Sequence, residues 1–338
     1  MAKSYNVAVT GATGIVGKEL LQILQTRHFP LRSLKLLASP RSAGKRIPFG
    51  EQEIEVELLS HDAFEGCDIV FNAVPDEISR EYSPSAVKAG AIVIDKTNAW
   101  RMEPDVPLVI PEVNGDDIAG HKGIIATPNC ATTPVVMALW PVHRLNPVKR
   151  FVAATYQSVS GTGGAAVDEL EANTRAIQAG GRGTHSAYPH EIAFNLIPEI
   201  GSWKDEDYSS EEVKLVNESR KIMHAPELAI SATCVRVPTF VSHAAAVWAE
   251  FSNPITPDEV RDILSRAPGV VVQDDPRAHV YPRPLEAAGT DPVYVGRIRR
   301  DTSHPNGIAL WTVGDNLRKG AALNALQIAE ELIARHLI

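Results

Sequence analysis

Residues 5–17 read YNVAVTGATGIVG, an alternating apolar run that passes through three glycines into a second apolar segment. The alternation over residues 5–10 predicts a β-strand, and the apolar periodicity over residues 16–24 predicts a helix. A glycine-rich turn between a strand and a helix is typical of the phosphate turn of a dinucleotide-binding domain.

Each glycine of this turn has a separate physical use. Gly11 permits the tight turn, Gly14 lets backbone N–H groups approach a pyrophosphate, and Gly17 lets the helix lie close to the sheet. A purely structural turn is the alternative, and the position between strand and helix favours the nucleotide site. The residues expected to contact a cofactor here are Gly11, Thr13, Gly14, Ile15, Val16 and Gly17.

The strands that follow indicate a parallel sheet. Strands are expected at residues 34–38, 53–59, 67–74 and 91–95, with a helix over residues 78–89. The segments CDIVFNAV and AIVID are uniformly apolar, as strands buried on both faces are. Alternating strands and helices predict an α/β fold, a Rossmann-like doubly wound parallel sheet.

The pattern changes near residue 130. Thr132 or Thr133 is expected to cap a helix whose first residue is Pro134. Long consecutive strands then predict an α+β domain with a mostly antiparallel sheet and helices on one side, at residues 149–158, 229–237, 244–251, 293–299 and 308–313. We therefore expect a nucleotide-binding domain of residues 1–130 with the C-terminal helix 317–338, and a second domain of residues 131–316.

Composition limits the partners and the compartment. The chain has 338 residues with a net charge of −8, which argues against a nucleic-acid-binding surface. Three cysteines give no disulfide framework and suggest a reducing compartment. No apolar run reaches the ~18 residues of a membrane helix, and residues 1–14 show no signal-peptide core, so we expect no signal peptide. We expect a soluble cytoplasmic protein that binds neither membrane nor nucleic acid.

The loop after the second strand, SPRSAGK at residues 39–45, predicts which nucleotide is bound. An NAD site usually places Asp or Glu here to bind the ribose hydroxyl, and this loop has neither. Ser39, Arg41 and Ser42 instead suit a 2′-phosphate, so the expected cofactor is NADP. A solvated basic loop is the alternative.

Cys130, in TPNCATT at residues 127–133, is the candidate reacting group. None of the seven tyrosines has a lysine four residues on, so the short-chain dehydrogenase pattern is absent. Cys130 stands just ahead of a predicted helix, whose dipole would stabilise a thiolate. Cys67 and Cys234 lie in apolar strands and are interpreted as core residues.

Motifs along the whole chain resemble the aspartate-semialdehyde dehydrogenases of the shorter bacterial kind. They are GATGIVG, SPRSAGK, PNCATT, TYQSVSGTGG, SSEEVKLVNESRKI, CVRVPTFVSHAAAVWAEF and DNLRKGAALNALQIAE. The resemblance implies NADPH-dependent conversion of L-aspartyl 4-phosphate to L-aspartate 4-semialdehyde with release of inorganic phosphate. That step feeds lysine (diaminopimelate), methionine, threonine and isoleucine biosynthesis.

The same resemblance implies the catalytic residues. Cys130 would attack the acyl phosphate and form a thioester, which splits one difficult reduction into two easier steps. His243 would act as the acid/base histidine, although a histidine that opens an apolar strand is otherwise more often structural. Gln157 would orient the substrate and its reacting carbonyl, the alternative being an amide that satisfies backbone groups.

The substrate needs fixed charges around it. Arg236 lies within an apolar strand and must have a partner, either the substrate α-carboxylate or an internal salt bridge. The family match gives the substrate ammonium to Glu211 and the phosphate to Lys214 and Arg101, although a Glu-x-x-Lys pair alone is usually solvated surface. Asn129 is expected to position the nucleophile.

The remaining expectations concern the nicotinamide end and the assembly. Ser160, Gly161, Gly163 and Asn316 are expected to contact the cofactor, with Asn98 a weaker candidate, and no metal site is expected. The resemblance implies a homodimer, with a tetramer as the alternative. Two alternatives remain: an N-acetyl-glutamyl-phosphate reductase, which shares the acyl-phosphate chemistry, and a non-catalytic NADP-binding relative.

Overall fold

The computed structural model describes residues 3–338 and divides them into two units. The first unit runs to Pro128 and resumes at Ala321, and the second is Asn129–Gly320. In the first unit, β1 (Tyr5–Thr10) is the central strand, with a parallel neighbour on each side. The other strands of this unit are β2 (Leu31–Ala38), β3 (Arg46–Phe49), β4 (Gln52–Leu58), β5 (Ile69–Asn72), β6 (Ile92–Asp95) and β7 (Ile124–Ala126).

These strands form one sheet in the order β3-β4-β2-β1-β5-β6-β7, all parallel except the β3–β4 pair. The helices are α1 (Ile15–Thr26), α2 (Asp76–Lys88) and the short α3 (Pro111–Asn114). The predicted parallel doubly wound sheet is thereby confirmed. Strand β3 was not predicted, because RIPF is short, partly exposed and contains Pro48, which is tolerated at a sheet edge.

The second unit is built on a six-stranded sheet. Its strands are β8 (Val148–Gln157), β9 (Ala229–Arg236), β10 (His243–Phe251), β11 (Val270–Val272), β12 (Val293–Arg300) and β13 (Gly307–Gly314). They follow the order β11-β12-β13-β10-β8-β9, and β10 is antiparallel to both of its neighbours. Only the β11–β12 and β8–β9 pairs are parallel, so the predicted mostly antiparallel sheet is confirmed.

Five helices belong to this unit, namely α4 (Thr132–His143), α5 (Gly164–Gln178), α6 (Ser210–Ile222), α7 (Pro257–Leu264) and α8 (Pro284–Ala287). Helix α4 contacts α6, α7 and four strands of the sheet, which buries that face. The opposite face keeps partly exposed side chains, which we call the open sheet face: Val152, Ala154, Tyr156, Ala246, Trp248 and Trp311.

The predicted start of α4 is wrong. The helix begins at Thr132 with Ala131 as its N-cap, and neither Thr132 nor Thr133 caps it with a side chain. The reason is Asn129, whose carbonyl accepts from the Thr133 N–H at 3.1 Å and whose Oδ1 accepts from the Ala131 N–H at 2.7 Å. These bonds draw the first turn earlier along the chain, so Pro134 is the third helical residue rather than the first.

Helix α9 (Leu323–Ala334) returns the chain to the first unit, after a π-helical turn at Arg318–Ala322. It contacts α1 and β6, and its buried residues, such as Leu326 and Ile328, join the core around β1. Within residues 3–338 no helix combines the length and the hydropathy needed to cross a bilayer.

Candidate active site

Cys130 and His243 are in contact in the second unit. Cys130 stands immediately before the N-cap of α4, and His243 is the first residue of β10. Their Sγ and Nε2 atoms lie 3.3 Å apart, although 113 residues separate them in sequence. The sulfur is partly exposed, whereas His243 is only 1% exposed. A thiol at a helix start beside an imidazole has the arrangement of an activated nucleophile.

The surroundings of His243 keep its ring neutral. Burial, followed by the nearby Arg236 guanidinium, lowers the pKa of His243 from 6.5 to about 3, although Glu211 and the backbone of Ser242 favour the charged form. The other ring nitrogen, Nδ1, accepts from the Ser158 N–H at 3.1 Å.

Glu211 forms hydrogen bonds with three of the other predicted residues. Its Oε1 accepts from Asn129 Nδ2 at 2.8 Å and from Gln157 Nε2 at 3.0 Å, and its Oε2 accepts from Lys214 Nζ at 3.2 Å. Burial alone would raise the pKa of this carboxyl, but Lys214, the two amide donors and Arg236 lower it to about 2. Glu211 and Lys214 therefore do not form a solvated surface pair, because Glu211 is buried.

Arg236 ends β9, and the residue is only 5% exposed. Nη1 donates to the Ser158 carbonyl at 2.7 Å, and the guanidinium carbon lies 5.8 Å from the centre of the Tyr188 ring. Its Nε has no hydrogen-bond partner, and no carboxylate of the described chain forms an ion pair with it. The internal salt bridge held open as an alternative is thus absent from residues 3–338.

Gly161 borders the space between the imidazole and the guanidinium. A Cβ added at Gly161 would lie 3.0 Å from Arg236 Nη1 and 3.1 Å from His243 Nε2. Only glycine leaves that space free. Gly163 follows with a φ of 121°, which favours glycine for a backbone reason instead.

Asn316 is tied into a buried polar network. Its Oδ1 accepts from the Ser242 N–H at 2.8 Å, from Ser158 Oγ at 3.1 Å and from Ser160 Oγ at 3.3 Å. Its Nδ2 donates to Ser160 Oγ at 3.0 Å. Because its amide oxygen is committed to protein donors, Asn316 could offer a cofactor only its Nδ2 group.

Two residues of the site, Glu218 and Ser158, were not predicted from the sequence. Glu218, 1% exposed on α6, accepts from the Asn129 N–H at 2.6 Å. Ser158 is buried and contacts both His243 and Arg236. A signal for Glu218 existed, since it lies seven residues after Glu211 and therefore on the same face of a helix. Ser158 carried no comparable signal, because its backbone carbonyl contacts the guanidinium and its backbone N–H contacts the imidazole.

The glycine turn of the first unit has the conformation that its sequence predicts. Gly11 has a φ of 69°, and a Cβ there would lie 2.2 Å from the Ala73 carbonyl oxygen. A Cβ at Gly17 would lie 2.4 Å from the Gly11 carbonyl oxygen. Helix α1 begins at Ile15, followed by Val16, with no side-chain cap, so its first N–H groups are available to a phosphate.

The loop after β2 lies beside this turn. Thr13 Oγ1 donates to Ser42 Oγ at 3.3 Å, while Ser39 and Arg41 are exposed. No Asp or Glu occurs among residues 38–45. The turn and the loop together fit a dinucleotide and offer hydroxyl and guanidinium donors, not a carboxylate, at the ribose position.

Arg101 is buried in the first unit near the carboxyl ends of two parallel strands. Its Nε donates to the Thr127 carbonyl at 2.9 Å and its Nη2 to the Lys96 carbonyl at 2.7 Å. These bonds join the segment after β6 to the segment after β7. Asn98, the weaker candidate, is exposed, and its N–H donates to Asp76 Oδ1 at 3.0 Å.

Comparison with known proteins gives one family for both units. The family described as semialdehyde dehydrogenase, NAD binding domain, matches residues 6–121, and the semialdehyde dehydrogenase dimerisation domain matches residues 139–319. A protein named aspartate-semialdehyde dehydrogenase from Synechocystis is 46% identical over 335 residues, which cover 99% of each chain.

Solved structures agree with this assignment. The aspartate semialdehyde dehydrogenase II of Vibrio cholerae, solved in complex with ASA, matches with a TM-score of 0.96 at 41% identity over 98% of this chain and 99% of that chain. The Candida albicans aspartate semialdehyde dehydrogenase, solved with NADP, matches with a TM-score of 0.78 at 26% identity over 99% and 100% of the two chains.

Proposed function

The chain belongs to the aspartate-semialdehyde dehydrogenase family and has that activity, and from this premise we propose that it reduces L-aspartyl 4-phosphate to L-aspartate 4-semialdehyde with NADPH. The single observation that carries this proposal is the 3.3 Å contact between Cys130 Sγ and His243 Nε2. An N-acetyl-glutamyl-phosphate reductase is disfavoured, because the chain is similar over its full length to proteins named aspartate-semialdehyde dehydrogenase. A non-catalytic relative is disfavoured, because Cys130, Gln157 and His243 are all retained.

Cys130 is the nucleophile of this proposal. Its sulfur bonds to the acyl carbon, and the bond from that carbon to the phosphate oxygen breaks, which releases inorganic phosphate and leaves a thioester. NADPH, when bound, supplies the hydride to the acyl carbon. The bond from that carbon to Cys130 Sγ then breaks, which releases the aldehyde and returns the thiolate. His243 acts as the acid/base group, which donates or accepts a proton through Nε2 as the tetrahedral species forms and collapses. Gln157 orients the substrate near Glu211.

Charge complementarity supports the binding of the amino-acid end. Arg236 offers a buried guanidinium whose Nε lacks a protein acceptor, and a substrate α-carboxylate would complete it as a planar pair. The ionised Glu211 suits the substrate ammonium, and Asn129 holds that carboxylate in place. The acetylated amine of the rival substrate would not carry the charge that Glu211 attracts.

Lys214 and Arg101 are assigned to the phosphate. Lys214 is partly exposed and held by Glu211 at 3.2 Å, so its remaining N–H donors can turn to a ligand. Arg101 is fixed by two backbone carbonyls, which keeps its guanidinium rigid. A rigid guanidinium and a mobile ammonium are both suitable partners of a phosphate.

The first unit is an NAD(P)-binding domain, and we infer that NADP is the preferred form. Gly11, Gly14 and Gly17 would carry the pyrophosphate with the backbone of Thr13, Ile15 and Val16. The exposed Ser39 and Arg41, with Ser42, would bind the 2′-phosphate. The second unit would contribute Ser160, Gly161, Gly163 and Asn316 at the nicotinamide.

A homodimer through the open sheet face is the proposed assembly. The second unit matches a dimerisation domain, and its open sheet face exposes Tyr156 and Trp248, while the short α8 packs against Ala244 and Val313 at one end of that face. Exposed aromatic groups of this size mark association surfaces. The enzyme acts in aspartate-family amino-acid biosynthesis. We place it in the cytoplasm, since its free nucleophilic thiol requires a reducing compartment.

The decisive assay is phosphate-dependent oxidation of aspartate semialdehyde, followed by the absorbance of the reduced nicotinamide. We expect activity that requires phosphate and is faster with NADP than with NAD. Equal rates with the two nucleotides would contradict the assignment of Ser39, Arg41 and Ser42. In the reductive direction, aspartyl phosphate and N-acetyl-glutamyl phosphate are compared, and preference for the second would overturn the substrate.

A further inference from the structure

Tyr188 faces the guanidinium of Arg236, although it belongs to no helix or strand. The guanidinium carbon lies 5.8 Å from the centre of the ring, within the range of a cation–π contact. Tyr188 is buried in an apolar cluster of the second unit that includes Val159, Leu170 and Ile192. Because the cluster holds the ring in place, the ring forms a fixed wall beside Arg236.

The phenol of Tyr188 is not a counter-charge for Arg236. Burial raises the pKa of Tyr188, although Arg236 and the hydrogen bond to Thr162 favour its ionised form. The phenol is therefore neutral at neutral pH, and its hydroxyl donates to Thr162 Oγ1 at 3.0 Å. The contact joins a cation to a neutral ring, so the charge of the guanidinium remains for a ligand.

The segment that carries Tyr188, residues 183–197, also holds the backbone of Arg236. The Ile197 N–H donates to the Arg236 carbonyl at 3.0 Å, and the Arg236 N–H donates to the Ile197 carbonyl at 2.8 Å. One segment thus contacts Arg236 at both its backbone and its side chain.

Helix α5 fixes the segment just before the tyrosine. Glu169 is buried, and its Oε2 accepts from the Ser186 N–H at 2.7 Å and from the Ala187 N–H at 2.8 Å. Asn173 Oδ1 accepts from the Thr184 N–H at 2.9 Å, and its Nδ2 donates to the Thr184 carbonyl at 2.7 Å. These bonds determine the place of the ring from outside the substrate site.

The guanidinium of Arg236 needs such a wall. Within residues 3–338 it makes a single hydrogen bond, from Nη1 to the Ser158 carbonyl at 2.7 Å, and Nε has no partner. A planar group held by one hydrogen bond can turn about it. A carboxylate binds in two-point fashion only when the donors of the guanidinium edge lie in its plane. An aromatic face on one side of the guanidinium limits that rotation.

We propose that Tyr188 is a positioning residue, whose ring holds the Arg236 guanidinium in the orientation that receives the α-carboxylate of the substrate. This role rests on the proposed function, in which Arg236 binds that carboxylate. Tyr188 acts through Arg236, so its loss affects the affinity for the amino-acid end more than the chemical step.

Steady-state kinetics of the full-length protein separate the ring from its hydroxyl. Tyr188→Phe retains the ring, whereas Tyr188→Leu and Tyr188→Met, the two ringless variants, fill the space without one. In phosphate-dependent oxidation of aspartate semialdehyde, we expect the ringless variants to raise KM for the semialdehyde about tenfold. We expect kcat, and KM for phosphate and for NADP, to change by less than about twofold.

The conservative variant decides which part of the tyrosine acts. We expect Tyr188→Phe to restore KM for the semialdehyde to within about twofold of the wild-type value, because the ring face is retained. Equal losses in Tyr188→Phe and in the ringless variants would assign the effect to the hydroxyl and overturn the proposal. An unchanged KM in the ringless variants, or a parallel change in kcat and all three KM values, would overturn it as well.

Two aldehydes that compete with aspartate semialdehyde test which end of the substrate is affected. Succinate semialdehyde retains the carboxylate and lacks the ammonium, whereas 3-aminopropanal retains the ammonium and lacks the carboxylate. We expect the ringless variants to raise the inhibition constant of succinate semialdehyde about tenfold and that of 3-aminopropanal less than about twofold. Equal changes for the two aldehydes would contradict an action through Arg236.

Tyr82→Leu is the matched control, since it removes a partly buried ring of the first unit that stacks on His61 with centroids 4.7 Å apart. We expect its KM for the semialdehyde to equal that of the wild type, and a similar rise there would refute a specific role of Tyr188. Wild-type protein without phosphate-dependent activity would refute the proposed function. Normal wild-type kinetics with unaltered ringless variants would refute the role of Tyr188 alone.

Discussion

The backbone N–H of Asn129 donates to Oε2 of Glu218 over 2.6 Å. The side chain of the same asparagine donates to Glu211, which lies seven residues before Glu218 on α6. Two buried carboxylates on one face of a helix thus hold the residue that directly precedes Cys130. The conformation of the nucleophile is therefore fixed by α6 as well as by the start of α4.

Loss of the Glu218 carboxylate should disturb this support. Glu218→Ala leaves a buried N–H without its acceptor, so we expect a loss of about 1–3 kcal/mol in stability and a lower kcat. Glu218→Gln keeps an acceptor oxygen and should retain most of the activity. Urea unfolding and steady-state kinetics measure both effects. An alanine variant as stable and active as the parent would contradict the contact.

Cys130 should be indispensable, whereas the buried cysteines should not be. We expect Cys130→Ser to fold normally and to lose kcat by about 1,000-fold or more, because a hydroxyl is a far weaker nucleophile than a thiolate. Cys67→Ala is the matched control, since Cys67 is buried in the core of the first unit. Phosphate-dependent turnover gives the comparison, and substantial activity in Cys130→Ser would remove the mechanism.

A methyl group at Gly161 should block the site. Its Cβ would lie 3.0 Å from Arg236 Nη1 and 3.1 Å from His243 Nε2. We expect Gly161→Ala to reduce kcat/KM by about 100-fold, since a misplacement of about 1 Å can cost that much. Gly164→Ala is the control, because a Cβ there meets nothing within 4 Å. Similar kinetics for the two variants would refute the crowding argument.

Glu211 should contribute stability that depends on pH. Its pKa in the folded protein is about 2, below the ordinary 4.5, so the folded state favours the ionised form. The contribution is fully present above pH 4.5 and is lost as pH falls toward 2. Urea unfolding should therefore show a gap between wild type and Glu211→Gln that narrows below pH 4.5. The exposed Glu53→Gln serves as control, and a gap that is constant with pH would contradict the shift.

The open sheet face should carry the assembly. Trp248 is 37% exposed on β10, and we expect Trp248→Glu to dissociate the proposed homodimer, because a carboxylate in an apolar interface is not compensated. Leu58→Glu is the control, since Leu58 is 50% exposed in the first unit. Sedimentation velocity shows whether each variant is a monomer or a dimer. A dimeric Trp248→Glu protein would place the interface elsewhere.

Local patterns were sufficient for most of the fold. The alternation of residues 5–10 and the glycines after them predicted β1, the turn and α1, because each depends on a few neighbouring residues. The short β3 was missed, since its pairing with β4 and not its own composition makes it a strand. The start of α4 was misplaced because the side chain and carbonyl of Asn129 form its first turn.

The site was predictable in its side chains but not in its contacts. Cys130 and His243 could be singled out, yet only the antiparallel pairing of β8 with β10 places His243 opposite Gln157. Ser158 contacts the guanidinium and, in part, the imidazole through its backbone. The type of a residue does not predict which contacts its backbone makes. Glu218 was not singled out from the sequence, although it lies on the same helix face as Glu211, and the structure shows that it is buried.

Of the three cysteine thiols in the chain, two are buried and one, that of Cys130, is partly exposed to solvent. A thiol-directed electrophile used in slight excess should consequently mark a single position per polypeptide. The amount of label incorporated then counts the competent centres in a preparation. Turnover numbers from different batches can be expressed per labelled centre. A batch that contains a low fraction of active protein can then be distinguished from a variant that has a low kcat.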